Sequence, residues 1–149
     1  GKSFGSFGAF VSSEKNIYKK IVNSGNGLIY STALTPGNYA AILEAIKIMP
    51  TLDKLRASLI KNSSFLIKEL NKHNFFTGKT KSHIIPIIIG NNEKCLDLQT
   101  YLRNRGFFVK AIRSPTVPEG TERIRISLTA TITKNILEKF LENLRSFKK

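Results

Sequence analysis

The stretch AIRSPTVPEGTERIRIS, residues 111–127, gives the clearest indication of the fold. Its second end, from Arg123, alternates polar and apolar side chains with the period of two that is typical of β-strands, and its first end closes an apolar run that begins at Phe107. The two prolines and the glycine between these ends favour a loop. We therefore predict strands over 107–112 and 123–128, joined by a proline-bearing loop over 113–121.

Three arginines lie in or next to this loop. Strand alternation places Arg123 and Arg125 on one face of the second strand, with Ile124 and Ile126 on the opposite face. A guanidinium group presents paired donors that match a carboxylate, so the two strand arginines and Arg113 in the loop could form a carboxylate clamp. A solvated basic strand face is the alternative interpretation, and composition alone favours it.

Apolar spacing and turn residues divide the rest of the chain into further elements. They are a short strand over 7–11, helices beginning near residues 14 and 36, a long helix over 51–71 capped by Thr51, a strand over 83–89, a helix closing at 105–106 and a last helix over 133–147. From residue 50 onward this order predicts helices layered on a small, largely antiparallel sheet. The break at Pro50 predicts a domain boundary between residues 48 and 49.

The chain has 149 residues and a formal net charge of +14, from 24 Lys and Arg against 10 Asp and Glu. This charge makes a basic nucleic-acid-binding module the alternative from a different functional class. The basic residues are spread along the chain and are not interleaved with aromatic residues, which argues against nucleic acid binding. No apolar run reaches the roughly 20 residues that span a membrane. Cys95 is the single cysteine, which excludes an intrachain disulfide and a cysteine-based zinc site and agrees with a reducing cytoplasm.

The first residues, GKSFGSFGA over 1–9, place Lys2 among glycines. A phosphate-binding P-loop is one interpretation, but the upstream glycine and the directly following helix are absent. A lysine that attacks a carbonyl is another, because glycines allow other groups to approach the amine closely. A solvated loop lysine is the third interpretation, and the residues by themselves favour it.

Three segments together resemble the α-oxoamine synthases. Residues 1–9 resemble the pyridoxal-phosphate lysine motif of that family, LIYSTALTP over 28–36 resembles its aromatic-Ser-Thr segment, and residues 111–125 resemble its proline loop and arginine strand. The resemblance implies an α/β fold like that of aspartate aminotransferase, a pyridoxal 5'-phosphate (PLP) transferase fold. Residues 1–48 would end the large PLP-binding domain, and residues 49–149 would form the small C-terminal α+β domain. It also implies a C-terminal portion that is inactive without the preceding part.

The resemblance also implies which residues hold the cofactor. Lys2 would attach PLP covalently and then act as the acid and base at the substrate Cα. Ser31 would contact the cofactor phosphate of the neighbouring subunit, with Thr32 as a helper, so the family implies a homodimer with its active site at the interface. It implies no metal.

For the substrates, the resemblance assigns Arg125 to the amino-acid carboxylate, and Arg113 and Thr116 to the acyl chain or product. Arg123 is expected to be structural. The implied reaction is a decarboxylative condensation of L-alanine with a pimeloyl thioester, carried by CoA or by acyl carrier protein, in the cytoplasm. A sister enzyme that condenses glycine with acetyl-CoA is the alternative, and the form of the 113–118 loop favours the alanine enzyme.

Overall fold

The computed structural model describes the backbone of residues 1–148 and the side chains of residues 1–147. The chain divides into two compact units, Gly1–Leu52 and Asp53–Lys149. Lys149, the last residue of the predicted second domain, lies outside the described residues. No helix in the described part of the chain combines the length and the apolar character that crossing a membrane requires.

The first unit is built from short helices. Pro36 occupies the first turn of its longest helix, as predicted, because its fixed φ suits a helical start. The strand predicted over 7–11 is wrong: these residues form no regular element, and no described strand pairs with them to satisfy an extended backbone. The elements are α1 (Lys15–Ser24), α2 (Asn26–Ile29), α3 (Pro36–Ile48) and a 3₁₀ turn (Met49–Leu52).

The break at Pro50 takes the form of that 3₁₀ turn. Thr51 does not cap the next helix as predicted, because its hydroxyl donates backward to the Ile48 carbonyl at 2.8 Å. The helix begins instead at Asp53, whose carboxylate lies in the first turn, where the helix dipole favours negative charge.

The second unit layers three helices on a three-stranded sheet of order β1-β3-β2. Both strand pairs are antiparallel, which confirms the predicted character of the sheet. Asn91 caps α5 by accepting a hydrogen bond from the Lys94 N–H at 2.9 Å. The elements are α4 (Asp53–Lys72), β1 (Ile84–Ile88), α5 (Asn92–Arg103), β2 (Lys110–Ile112), β3 (Arg123–Ser127) and α6 (Lys134–Lys148).

The core of the second unit lies on one face of the sheet. The strand register aligns Ile85 with Ile126, and Ile87 and Ala111 with Ile124, and all five are buried. Helices α4, α5 and α6 cover this face with leucines and a phenylalanine: Leu66, Leu70, Leu98, Leu102, Leu137, Phe140, Leu141 and Leu144. The opposite sheet face is half-buried or exposed, and we call it the open face.

Candidate active site

The Lys2 side chain projects from a glycine-containing turn. The Gly5 N–H donates to the Lys2 carbonyl at 3.0 Å, and Gly5 has a φ of +63°, which glycine adopts without steric cost. The Ser6 hydroxyl donates to the Asn38 carbonyl at 3.1 Å and ties the turn to α3. Among the described residues, the exposed Lys2 amine has no hydrogen bond or ion pair. The turn therefore presents a free amine on an anchored backbone.

A cavity of about 690 Å³ lies beside this turn. Gly1 and Phe4, on either side of Lys2, both line it, together with Tyr39 and Ile42 of α3. Gly8 also lines it, and a Cβ at that position would lie 2.7 Å from Leu34 Cδ1, so the segment after the turn packs closely against the residue two positions before α3. The turn that carries Lys2 thus borders a mostly apolar cavity, although Lys2 itself is not among the lining residues.

Ser31 and Thr32 follow α2 and are both exposed. The Ser31 hydroxyl donates to the Gly27 carbonyl at 2.5 Å. It can donate to a ligand only by giving up this bond, which an anionic acceptor favours because hydrogen bonds to charged groups are the stronger ones.

The two strand arginines share the open face, as the alternation predicted, but differ in their surroundings. Arg123 is half-buried and its Nε donates to the Thr121 carbonyl at 2.7 Å. Arg125 is exposed, and within the described part of the chain its guanidinium makes no hydrogen bond or ion pair. It lies between Pro86 on β1 and Lys110 on β2. Arg125 is therefore the arginine of this pair that is free to bind an anion.

The proline loop between β2 and β3 is held by its own backbone. The Val117 N–H donates to the Arg113 carbonyl at 3.2 Å, and both the N–H and the hydroxyl of Thr121 donate to the Pro118 carbonyl. The side chains of Arg113 and Thr116 are exposed on this loop. The loop can thus present both side chains to a ligand without reorganising its backbone.

Glu122 is a charged residue of this region that the sequence reasoning missed. It is 3% exposed, and its Oε2 has no hydrogen-bond partner among the described residues. The pKa of the nearby Cys95 thiol is raised by burial and by the charge of Glu122, while the Arg113 guanidinium acts in the opposite direction. The signal was present in the sequence, because Glu122 precedes Ile124 by two positions and so shares its core-facing side.

The six predicted site residues fall into two groups. All six residues are exposed, and each unit carries three of them. Lys2, Ser31 and Thr32 belong to Gly1–Leu52, and Arg113, Thr116 and Arg125 belong to Asp53–Lys149.

The first group fits the functional groups of PLP. The cofactor has an aldehyde, which reacts with a primary amine, and a phosphate, which hydroxyl donors bind. Lys2 provides an exposed amine with no described partner, and Ser31 and Thr32 provide exposed hydroxyls. These donors are the types that the cofactor requires. The described residues contain no group of three or more His, Cys, Asp or Glu side chains placed to hold a metal ion.

Curated proteins similar to this chain carry one recurring name. A Desulfosudis oleivorans protein, provisionally named 8-amino-7-oxononanoate synthase, is 41% identical over 134 residues, which is 90% of this chain and 35% of that protein. The 8-amino-7-oxononanoate synthase of Anaeromyxobacter dehalogenans is 35% identical over 144 residues, 97% of this chain and 36% of that enzyme. The chain therefore spans about a third of the length of these relatives.

Solved structures share the fold. The serine palmitoyltransferase of Sphingomonas wittichii superposes with a TM-score of 0.88 and 26% identity, over 97% of this chain and 37% of that one. The 8-amino-7-oxononanoate synthase of Francisella tularensis superposes with a TM-score of 0.85 and 26% identity, over 97% of this chain and 43% of that one. A structure described as SPT with PLP superposes with a TM-score of 0.89 and 24% identity, over 97% of this chain and 37% of that one. The fold of this chain is thus the one that PLP-dependent aminotransferases and α-oxoamine synthases share, which confirms the predicted fold class.

The family model for aminotransferase class I and II matches residues 1–144. That match covers both units and nearly the whole chain, so this chain belongs to the aminotransferase class I and II family.

Proposed function

We propose that this chain carries part of the active site of an α-oxoamine synthase, 8-amino-7-oxononanoate synthase. The enzyme condenses L-alanine with a pimeloyl thioester and releases carbon dioxide, the free thiol carrier and 8-amino-7-oxononanoate. The observation that carries this proposal is the name shared by curated relatives at 35–41% identity. The free Lys2 amine and the free Arg125 guanidinium are the groups that such a reaction requires of these residues.

PLP, when bound, supplies an electron sink that stabilises negative charge at the amino-acid Cα. Lys2 holds the cofactor through its amine and then takes the proton from the Cα and returns one after carbon dioxide has left. Ser31, with Thr32, donates hydrogen bonds to the cofactor phosphate. In the homodimer that we propose, this phosphate belongs to the neighbouring subunit, so the active site lies at the interface. We also propose that the enzyme is cytoplasmic.

Arg125 binds the alanine carboxylate in this scheme. Its position on the open face, with no described partner, leaves its paired donors available, and Lys110 opposite it adds positive potential. The carboxylate must be oriented and later expelled, which suits a noncovalent guanidinium contact. Arg113 and Thr116 in the proline loop contact the acyl chain.

We further propose that residues 1–149 do not turn over these substrates on their own. None of residues 1–52 is buried, and large apolar side chains such as Phe10 (85% exposed) and Tyr30 (84% exposed) lie on the surface of that unit. Exposed apolar area of this extent is typical of a surface that packs against further protein. The isolated chain should show no turnover and should bind a hydrophobic dye strongly.

The test of the function is product formation by the complete gene product that contains these residues. With PLP present, L-alanine and pimeloyl-CoA or pimeloyl-acyl carrier protein should yield 8-amino-7-oxononanoate and one equivalent of carbon dioxide. Arg125→Ala should abolish turnover at low alanine, whereas Lys79→Ala, which removes a positive charge from an exposed position of the same unit, should retain it. Turnover only with glycine and acetyl-CoA, or only with serine and palmitoyl-CoA, would instead assign the chain to another α-oxoamine synthase.

A further inference from the structure

Lys110 and Arg125 form a pair of like charges on the open face. The strand register places them directly opposite each other on β2 and β3, and both side chains are exposed. Residues directly opposite in an antiparallel pair have Cβ atoms about 5 Å apart, and like charges at such positions are destabilising. Neither side chain makes an ion pair in the described part of the chain. The fold therefore holds two uncompensated cations next to each other.

The strand residues around this pair include no acid that could neutralise it. Besides Lys110 and the two arginines, the strand positions on the open face are Ile84, Pro86, Ile88, Ile112 and Ser127. The Arg123 guanidinium is half-buried, and its Nε is already engaged by the Thr121 carbonyl. Apolar neighbours lower the local dielectric, which strengthens the attraction of the remaining two cations for an anion.

Both head groups of the pair can contact one anion. Lysine and arginine carry their charges on long, flexible side chains, so a Cβ separation of about 5 Å lets the two groups converge. A carboxylate accepts two bonds from a guanidinium and keeps lone pairs for an ammonium donor. A phosphonate offers three oxygens and two negative charges, so a second cation contributes more to its binding than to that of a carboxylate.

We propose that Lys110 and Arg125 form one two-cation site, in which the Lys110 ammonium is the second contact to the substrate carboxylate. The site takes an α-amino acid or, as a second ligand class, the corresponding α-aminophosphonate. This inference rests on the proposed function, which gives the carboxylate to Arg125, and deepens it by adding a binding residue and a class of competing ligand.

Ligand titrations of the PLP-loaded complete gene product test this site. Lys110→Gln should weaken the binding of L-alanine about tenfold, as expected for the loss of one charge-assisted hydrogen bond at an exposed position. It should weaken the binding of 1-aminoethylphosphonate, the phosphonate analogue of alanine, by more than this factor, because the lost attraction is to a doubly charged group. The visible absorbance of the cofactor follows both titrations.

Three comparisons separate a ligand contact from a general effect of charge. Lys110→Arg keeps the positive charge and should bind both ligands within about threefold of the parent. Lys61→Gln removes an exposed lysine from α4, which covers the opposite face of the sheet, and should change neither affinity. Lys110→Gln should unfold at the temperature of the parent or slightly above it, because it removes a like-charge repulsion.

Several results would overturn the site. They are an unchanged alanine affinity in Lys110→Gln, an equal effect of Lys61→Gln, and a loss for the phosphonate no larger than the loss for alanine. A lower unfolding temperature of Lys110→Gln also contradicts it, because Lys110 must then have a stabilising partner.

The titrations do not depend on turnover, so the two proposals can fail separately. If Lys110→Gln weakens alanine as expected but the parent forms no 8-amino-7-oxononanoate, the proposed function fails and the site stands. If the parent forms this product and Lys110→Gln binds alanine normally, the site fails alone. A parent that binds no amino acid refutes both.

Discussion

Replacing Arg125 with alanine should separate substrate binding from protein stability. Arg125 is exposed and makes no described hydrogen bond or ion pair, so its removal should change the free energy of unfolding by no more than about 0.5 kcal/mol. Lys110 lies directly opposite it on β2, and like charges opposite each other cost roughly 0.2–1 kcal/mol. The variant should therefore be as stable as the parent, or slightly more so.

The affinity for alanine should fall sharply in the same variant. A charge-assisted carboxylate pair in a desolvated site accounts for about 2–5 kcal/mol, which corresponds to at least a 30-fold weaker binding constant. Arg125→Lys should recover only part of the loss, because an ammonium group lacks the two parallel donors of a guanidinium. Arg123→Ala should behave in the opposite way: it loses the 2.7 Å bond from Nε to the Thr121 carbonyl and should lose about 1 kcal/mol of stability with little change in alanine affinity.

The assay is a titration of L-alanine into each PLP-loaded variant of the complete gene product, followed by the visible absorbance of the cofactor. Thermal unfolding of the same samples gives the stability change. If Arg125→Ala binds alanine as well as the parent while Arg123→Ala does not, the carboxylate is bound by the other arginine of the pair. If both bind alanine normally, the clamp does not lie on the open face.

Two further predictions concern the second unit. Leu66→Ala should lower the free energy of unfolding by about 2–5 kcal/mol, because Leu66 of α4 is fully buried in the core. Leu96→Ala, at a residue that is 38% exposed, should lower it by less than about 1 kcal/mol. Urea unfolding measures both changes. Burial raises the pKa of the Cys95 thiol above its usual 9.0, so the unfolded chain ionises first and stability should fall as the pH rises above 9.0. Cys95→Ala should lose less stability than the parent as the pH rises above 9.0, because it lacks the thiol. If the difference in free energy of unfolding between Cys95→Ala and the parent stays constant from about pH 8 to 10, the prediction is contradicted.

The sequence was sufficient to predict much of the second unit. Its long helix, predicted over 51–71, is observed over Asp53–Lys72, and the alternation in β3 correctly separated Arg125 from the buried Ile124. These features depend on local periodicity, which one segment contains in full. Periodicity does not show how far a pairing extends: β2 was predicted over 107–112 but pairs only over Lys110–Ile112. Phe107 instead packs edge-on against Phe140, with ring centroids 5.4 Å apart, and this contact depends on a residue 33 positions away.

The first unit was harder to predict for a related reason. The segment 7–11 has the composition of a strand, but a strand needs a hydrogen-bonding partner, and the described residues offer none. At the candidate site, too, contacts between distant parts of the chain could not be predicted from one segment. Arg113 and Thr116 were identified from a motif. The alternation in β3 places Glu122 on the core-facing side, but only the folded structure shows that its Oε2 has no partner among the described residues. Whether a buried polar atom is paired depends on tertiary structure that no single segment specifies.

The most direct test of the central claim is to locate the cofactor on the chain. The complete gene product, loaded with PLP and reduced with borohydride, should carry the phosphopyridoxyl group on Lys2 when its peptides are mapped by mass spectrometry. Lys2→Ala should remove both the label and the visible absorbance, whereas Lys20→Ala, at an exposed lysine of α1, should retain both. A label on another lysine, or full absorbance in Lys2→Ala, would contradict the account.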